Sequence, residues 1–342
     1  MSWSSRQLET LVQRVEVLRH FATSKLWYTA SALPLPVKFC KKFEAALSKF
    51  LWMGKFEKLK IDETKNKLLS GGLNLPCVIS KSDSLFLSQT CRMLKDPTSK
   101  EYKHIKYWLG LYIMEYFPDM GVGAHAEIPS AYFLHMRALL VGGFVLGDIE
   151  VGRLGQVTAK ALYQEFTSSF PPPKVVFKFD VDWDQVWQRL QNPVLDTMGR
   201  EVLFLIIHNI VANKDRMFRC NMSPTSNCQV CGIHQDNVHI FCECVSVRES
   251  WFWVRQRLLG MLAPEDSSTS NFEFLHLMFS TSTLDNEVVW MLGVYVQLVW
   301  NQFICKKKSL RLESIIAQVG QEYKTHHFSS RLQLAHITGL LQ

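Results

Sequence analysis

A mainly α-helical fold follows from three features of the chain. Apolar residues recur at helical spacing through most of the legible segments. Prolines and a paired glycine cut those segments into separate helices. Cysteines and a histidine gather between residues 228 and 244, in the kind of spacing that holds a loop where no core can form. The expected architecture is a helical N-terminal unit followed by a helical domain that carries a small Cys-Cys-His-Cys knuckle.

Taken in order, the first helix spans residues 6–33, with Leu8, Leu11, Val15 and Leu18 as its apolar stripe and Phe21 and Ala22 extending it. Pro34 and Pro36 end it. A second helix follows, with Phe39, Phe43, Leu47, Phe50 and Leu51 on one side and Lys38, Lys41, Lys42 and Lys49 on the other. Two helices joined by a rigid proline turn form an antiparallel pair. A basic loop (Lys55, Lys58, Lys60, Lys65, Lys67) leads to Gly71-Gly72, where the backbone is free to turn sharply. Residues 78–94 return to helical spacing, with Ile79, Leu85, Leu87 and Leu94 as core candidates. Residues 100–120 form an aromatic-rich helix whose Tyr107, Trp108, Tyr112, Tyr116 and Phe117 are expected in the core.

Further helices are expected over 131–141 and 158–166, before the proline-rich linker at Pro171-Pro172-Pro173. Residues 177–184 alternate like a short extended segment, and Asp184 is placed to cap the next helix. Asp180, Asp182 and Asp184 would share a face there, but solvated acids explain them better than a magnesium site. Residues 185–219 read as helix leading into the cysteine cluster. Beyond it, Trp251, Val254, Leu258 and Leu262 mark an amphipathic helix, residues 287–305 a buried one, and residues 309–324 a terminal one.

Composition bounds the function. The 342 residues, 47% hydrophobic and 20% charged, describe a folded chain of two domains or one large one. The nine cysteines are odd in number and mostly scattered, and Met1-Ser-Trp-Ser-Ser-Arg6 has no apolar leader. An intracellular location, nuclear or cytoplasmic and not secreted, is therefore expected. The longest apolar run, residues 288–296, is too short and interrupted to cross a bilayer, so no membrane association is expected. Residues 1–106 hold 19 lysines and arginines against 9 acids, whereas the remainder holds 19 against 22. A basic first third suits a polyanionic partner, although a solvated lysine face produces the same count.

Cys228-Gln-Val-Cys231, then His239 and Cys244, make a C-x2-C-x7-H-x4-C pattern. A C-x-x-C turn converges two thiolates on one point, and Gly232 suits the turn behind them. Structural zinc is the expected cofactor. Cys242 competes for the fourth position: on a continuous α-helix it shares a face with His239, whereas Cys244 reaches the ion only if the helix breaks. Buried reduced cysteines would explain the same residues without a metal. His234 is read as an exposed turn residue. No phosphate-binding loop, nucleophile elbow or metalloprotease helix is found, and a closed four-ligand zinc site does not activate water, so no catalytic residue is assigned. Lys214, Arg216, Arg219, Arg248, Arg255 and Arg257 flank the cluster as candidate phosphate contacts.

Four stretches, in order, carry a resemblance: Leu26-Trp-Tyr-Thr-Ala-Ser-Ala-Leu-Pro-Leu-Pro36, Phe50-Leu-Trp-Met-Gly54, Gly71-Gly-Leu-Asn-Leu-Pro76, and Cys228 to Cys244 followed by Trp251. Together they resemble the C-terminal part of a non-LTR retrotransposon reverse transcriptase: its helical thumb and connection, then its zinc-binding module. Arg200-Glu-Val-Leu-Phe-Leu-Ile-Ile-His208 is similar to the helix that enters that module. The resemblance divides the chain into a basic thumb-like region (1–97), a helical connection (98–173), the zinc-binding module (174–262) and C-terminal helices (263–342). It favours Cys244 as fourth ligand. It also implies contacts to a template–primer-like duplex or target strand, RNA or DNA, through Lys38, Lys41, Lys42, Lys49, Lys55, Lys58 and Lys60, with Arg216, Arg219 and Arg255 beside the knuckle. The family's paired metal-binding aspartates, fingers and endonuclease have no counterpart here. The expected function is thus non-catalytic nucleic-acid binding by a reverse-transcriptase-derived fragment, with polymerase domains supplied in trans if at all. The alternatives are a protein-interaction module that uses surface left by those domains, with Trp251, Trp253 and Trp290 outward, or a decaying copy with no selected role.

Overall fold

The computed structural model describes residues 10–54, 58–109, 129–146, 157–261, 286–301 and 312–325. Among them the fold is mainly helical, with no β-strand and one isolated antiparallel bridge, Asn227 with His234. The chain forms two compact units: Leu11–Lys67 with Gly72–Pro172, and Leu68–Gly71 with Pro173–Gln342 and Met1–Thr10.

The first of these opens with α1 (Leu11–Val17), a π turn (Leu18–Thr23) and α2 (Ser24–Ala32). Leu11, Val15 and Leu18 are buried as expected, but Phe21 is 52% exposed and Thr23 and Ala30 are buried instead. The π turn explains the change, because one extra residue per turn rotates the apolar stripe past Phe21. Leu8 lies outside the described residues.

After the proline turn, α3 (Val37–Leu51) buries Cys40, Glu44, Leu47, Ser48 and Leu51. The expected phenylalanine face is therefore only partly inside: Phe39 is exposed and stacks on Phe43, with ring centroids 6.0 Å apart. Glu44 takes the central place because its charge is matched. Its carboxylate accepts from Lys65 Nζ of α4 (Ile61–Lys65) and from the Val78 amide, each at 2.9 Å. Both charged side chains are less than a tenth exposed.

Helix α5 (Val78–Met93) is the unit's centre and packs against α2, α3, α7 (Ser130–Leu146) and α8 (Ala159–Ser168). Leu87, Cys91, Leu94, Leu139 and Leu162, with Ile105 and Leu109 of α6 (Lys100–Leu109), form one apolar cluster. Ile79 and Leu85, expected inside, are half-buried, and Phe86 takes the buried place. Tyr107, expected in the core, is exposed, whereas Trp108 is half-buried; Tyr112, Tyr116 and Phe117 lie outside the described residues.

The second unit is built on α13 (Asn286–Val299), whose residues 288–296 are buried almost throughout. It packs against α10 (Thr197–Ile207), α12 (Arg248–Met261) and α14 (Leu312–Thr325). Among the described residues no helix is long and apolar enough to cross a membrane. The helices α10 and α13 meet closely at two glycines: a Cβ on Gly199 would lie 3.1 Å from the Gly293 carbonyl oxygen. The stretch read as one helix over 185–219 is three: α9 (Trp183–Leu190), α10 and α11 (Lys214–Arg219). Each begins at a side-chain cap: Asp182, Asp196 and Asn213 accept from the amides of Gln185, Gly199 and Arg216. Asp182, not Asp184, is thus the cap of α9, because the chain turns helical two residues earlier than its alternation implies. The segment expected to be extended over 177–184 forms no strand: Phe177 ends a 3₁₀ turn (Lys174–Phe177), 178–182 are turn and irregular chain, and the helix has begun by Trp183. Lys306 to Lys308 lie outside the described residues.

Candidate metal centre

The loop between α11 and α12 is positioned before any ligand is considered. Asn209 and Asn221 end α10 and α11 at φ +53° and +55°, a conformation asparagine tolerates better than most residues. Asn213 Nδ2 donates to Asn237 Oδ1 (2.7 Å), and Asn237 Nδ2 to Asn209 Oδ1 (3.1 Å). Asn213 and Asn237 are buried, Asn209 exposed, and their amides tie the returning chain to the ends of α10 and α11. The Lys214 amide donates to Gln235 Oε1 and the Asp215 amide to the Gln235 carbonyl, so the hairpin is fastened at its open end.

At the tip, the Cys228 amide donates to the Ile233 carbonyl (2.7 Å) and Gly232 N to the Cys228 carbonyl (2.9 Å). Gly232 has φ +76°, which a side chain would oppose, so the expectation of a glycine-dependent turn holds. The amide of Val230 points at Cys228 Sγ from 3.4 Å.

The second pair of ligands comes from a π turn, His239–Glu243. Asp236 Oδ1 caps the helical residues that lead into it, accepting from the His239 amide at 2.8 Å. Its defining bond runs from the Cys244 amide to the His239 carbonyl, 2.8 Å, five residues back. On an α-helix such residues do not share a face, whereas in a π turn they are stacked. That decides the contest for the fourth position: Cys244 joins the cluster, and Cys242, buried, does not. Tyr295 of α13, completely buried, donates its hydroxyl to the Phe241 carbonyl in the middle of this turn. A core helix thus holds the turn in place.

Cys228 Sγ, Cys231 Sγ, His239 Nε2 and Cys244 Sγ converge, with all four ligand atoms within 4.8 Å of one another. Cys228 and Cys244 sulfurs are 3.8 Å apart, and Cys231 Sγ is 3.3 Å from His239 Nε2. Burial alone would raise the Cys228 thiol, but amide hydrogen bonds from Val230 and Cys231, with His239, draw it down to about 6. Burial and the negative charge of Cys228 push Cys244 up to about 11. Three sulfurs this close cannot all ionise beside one another without a cation, so the arrangement is suited to hold a metal ion. His239 Nδ1 is buried with no hydrogen-bond partner among the described residues. His234 is exposed, as expected, and sits 3.7 Å from Asp215.

The expected polyanion contacts fall into two groups. Lys38, Lys41, Lys42 and Lys49 recur three, four and seven residues apart on α3, opposite its buried face, and all are exposed. Lys60 is exposed, Lys58 half-buried, and Lys55 lies outside the described residues. Near the knuckle, Arg219 is bound to Asp215 (2.6 Å), Arg216 to the Asn209 carbonyl (2.9 Å), and Arg255 is half-buried. Sequence reasoning missed Asp236 and Tyr295. Aspartate three residues before His239 is a legible capping signal, whereas nothing in the sequence pairs Tyr295 with Phe241. No family model matches the chain, and no curated protein does.

Proposed function

We propose that this protein is a non-catalytic, zinc-containing nucleic-acid-binding fragment, related to the C-terminal part of a non-LTR retrotransposon reverse transcriptase. The carrying observation is the lysine face of α3, where four cations at helical spacing stand clear of the core. Such a face meets successive phosphates without reading bases. Zinc is supported by the donor set, three sulfurs and one imidazole nitrogen, which suits a borderline-soft ion over magnesium or calcium. A tetrahedron with metal–sulfur arms of about 2.3 Å has sulfur–sulfur edges of about 3.8 Å, the spacing of Cys228 and Cys244. Four protein ligands leave the ion no open position, which supports a structural role.

The test is a binding series against mixed-sequence duplex and single-stranded RNA and DNA at increasing salt. Affinity should fall linearly on logarithmic axes, with a slope of roughly 0.9 per duplex phosphate engaged, and Lys→Gln at positions 38, 41, 42 and 49 should flatten it. Salt-independent binding, or none, rejects the proposal. The protein-interaction alternative gains nothing from Trp251 and Trp290, which are buried, and little from Trp253, which is half-buried with Arg257 over its ring. It rests instead on Val230, Ile233, Val245 and Phe252, all more than half exposed around the metal loop.

A further inference from the structure

The unit centred on α5 carries an open pocket of about 350 Å³, beyond anything the nucleic-acid reading uses. Its walls are apolar, with Pro36, Ile79, Phe86, Leu134 and Phe166 among them. Its volume falls within the range of small-molecule sites, roughly 300–1,000 Å³.

Two charges interrupt that lining. Asp83 on α5 is half-buried, and Arg137 on α7 is exposed. Burial raises the Asp83 carboxyl, and the positive charge of Arg137 draws it part of the way back. The two groups do not close into an ion pair, and neither has a hydrogen-bond partner among the described residues. A carboxylate held in an apolar wall is costly until something neutralises it. An opposite charge that feels it yet stays open leaves room for a ligand between them.

We propose that this pocket binds a small zwitterion with an apolar body, of the apolar α-amino acid class, its ammonium on Asp83 and its carboxylate on Arg137. Charge complementarity selects the class. A fatty acid or other simple anion would satisfy Arg137 but leave Asp83 facing a like charge or a hydrocarbon tail. A simple amine would satisfy Asp83 and be repelled by Arg137. Only a ligand with both charges on one end and an apolar body on the other satisfies the whole lining.

The experiment uses the full chain and three probes of one shape: L-phenylalanine, phenethylamine without the carboxylate, and hydrocinnamate without the ammonium. Binding is read by calorimetry and saturation-transfer NMR. Phenylalanine should bind most tightly, and each truncated probe roughly tenfold more weakly or worse, as for loss of one charge-assisted contact. Asp83→Asn should weaken phenylalanine and phenethylamine but not hydrocinnamate, and Arg137→Gln should weaken phenylalanine and hydrocinnamate but not phenethylamine. Neither variant removes a hydrogen-bond partner, and Asp83→Asn relieves a costly charge, so neither thermal midpoint should fall below the wild-type value. Absence of phenylalanine binding at millimolar concentration overturns the proposal, as does binding indifferent to both substitutions. Chelation and the α3 lysine variants leave this site intact, so its failure and the failure of nucleic-acid binding are separable.

Discussion

Residues 60–67 with 72–78, and residues 226–244, each anchor a few apolar side chains in the core (Leu73, Leu75 and Val78; Ile240 and Phe241), and both also bury charge-bearing groups. In the first, the buried charges are answered by the protein. Lys65 meets Glu44 and Asp62, Glu44 also takes the Val78 amide, and the Thr64 carbonyl accepts from the amides of Leu73 and Leu75. Asn66 Nδ2 reaches the Pro171 carbonyl at 3.0 Å. In the second, backbone bonds shape the turns, but four ligand atoms converge with no counter-charge among them. One loop is complete as folded. The other is a frame that a metal ion could complete. Buried polar groups impose the same demand in both places, and the residues supplied decide whether the chain itself can meet it.

The sharpest way to break this comparison is to take the ion away. A structural zinc site carries binding free energy on the order of 10 kcal/mol, which is also local folding energy. Chelation should therefore abolish amide-exchange protection across 225–250 while leaving 60–67 and 72–78 as protected as before. Cys231→Ser and His239→Ala should lose the bound metal, and Cys242→Ser should keep it. A metal assay showing Cys242→Ser to be the damaging change would refute the π-turn assignment.

A smaller effect comes from the self-satisfied loop. Glu44→Ala leaves Lys65 without its buried partner and the Val78 amide without an acceptor. Removing one member of a buried pair costs about 3–5 kcal/mol, and the exposed Asp62 recovers little of it. Denaturant unfolding should show this loss with metal content unchanged.

The smallest effect needs no mutation. His208 stacks on Trp187 (centroids 5.5 Å apart), and its Nε2 donates to the Gly71 carbonyl at 2.9 Å. Burial holds its pKa at about 4 against an ordinary 6.5, the Gly71 bond opposing only part of that. The unfolded chain takes up this proton first as pH falls. The stabilisation is thus whole above 6.5 and is lost progressively between 6.5 and 4, up to roughly 3 kcal/mol. A stability-versus-pH series in which His208→Phe keeps the same slope over that window would show that another group is responsible.

Several elements were legible because their signals are local. Pro34 and Pro36 mark the turn between α2 and α3, and residues 288–296 announce a buried helix. Gly71 proves necessary: it has φ +76°, and a Cβ there would lie 2.5 Å from the Trp187 ring. Other readings failed where a local irregularity or a distant partner overruled periodicity. Phe21 is displaced by a π turn, and Phe39 by a glutamate that a lysine 21 residues away makes tolerable inside. The breaks within 185–219 were signalled by Asp196 and Asn213, whose capping role the apolar pattern obscured.

Sequence alone determined the helical class, the lysine stripe along α3 and three of the four donors, because a C-x-x-C turn, a helical face and a nearby histidine are short-range geometry. The fourth donor, the burial of Glu44 and the hold of Tyr295 on the metal loop were decided only in three dimensions. Each depends on where a backbone five residues on, or a side chain tens of residues away, is placed by packing, and residue spacing along the chain carries no record of that.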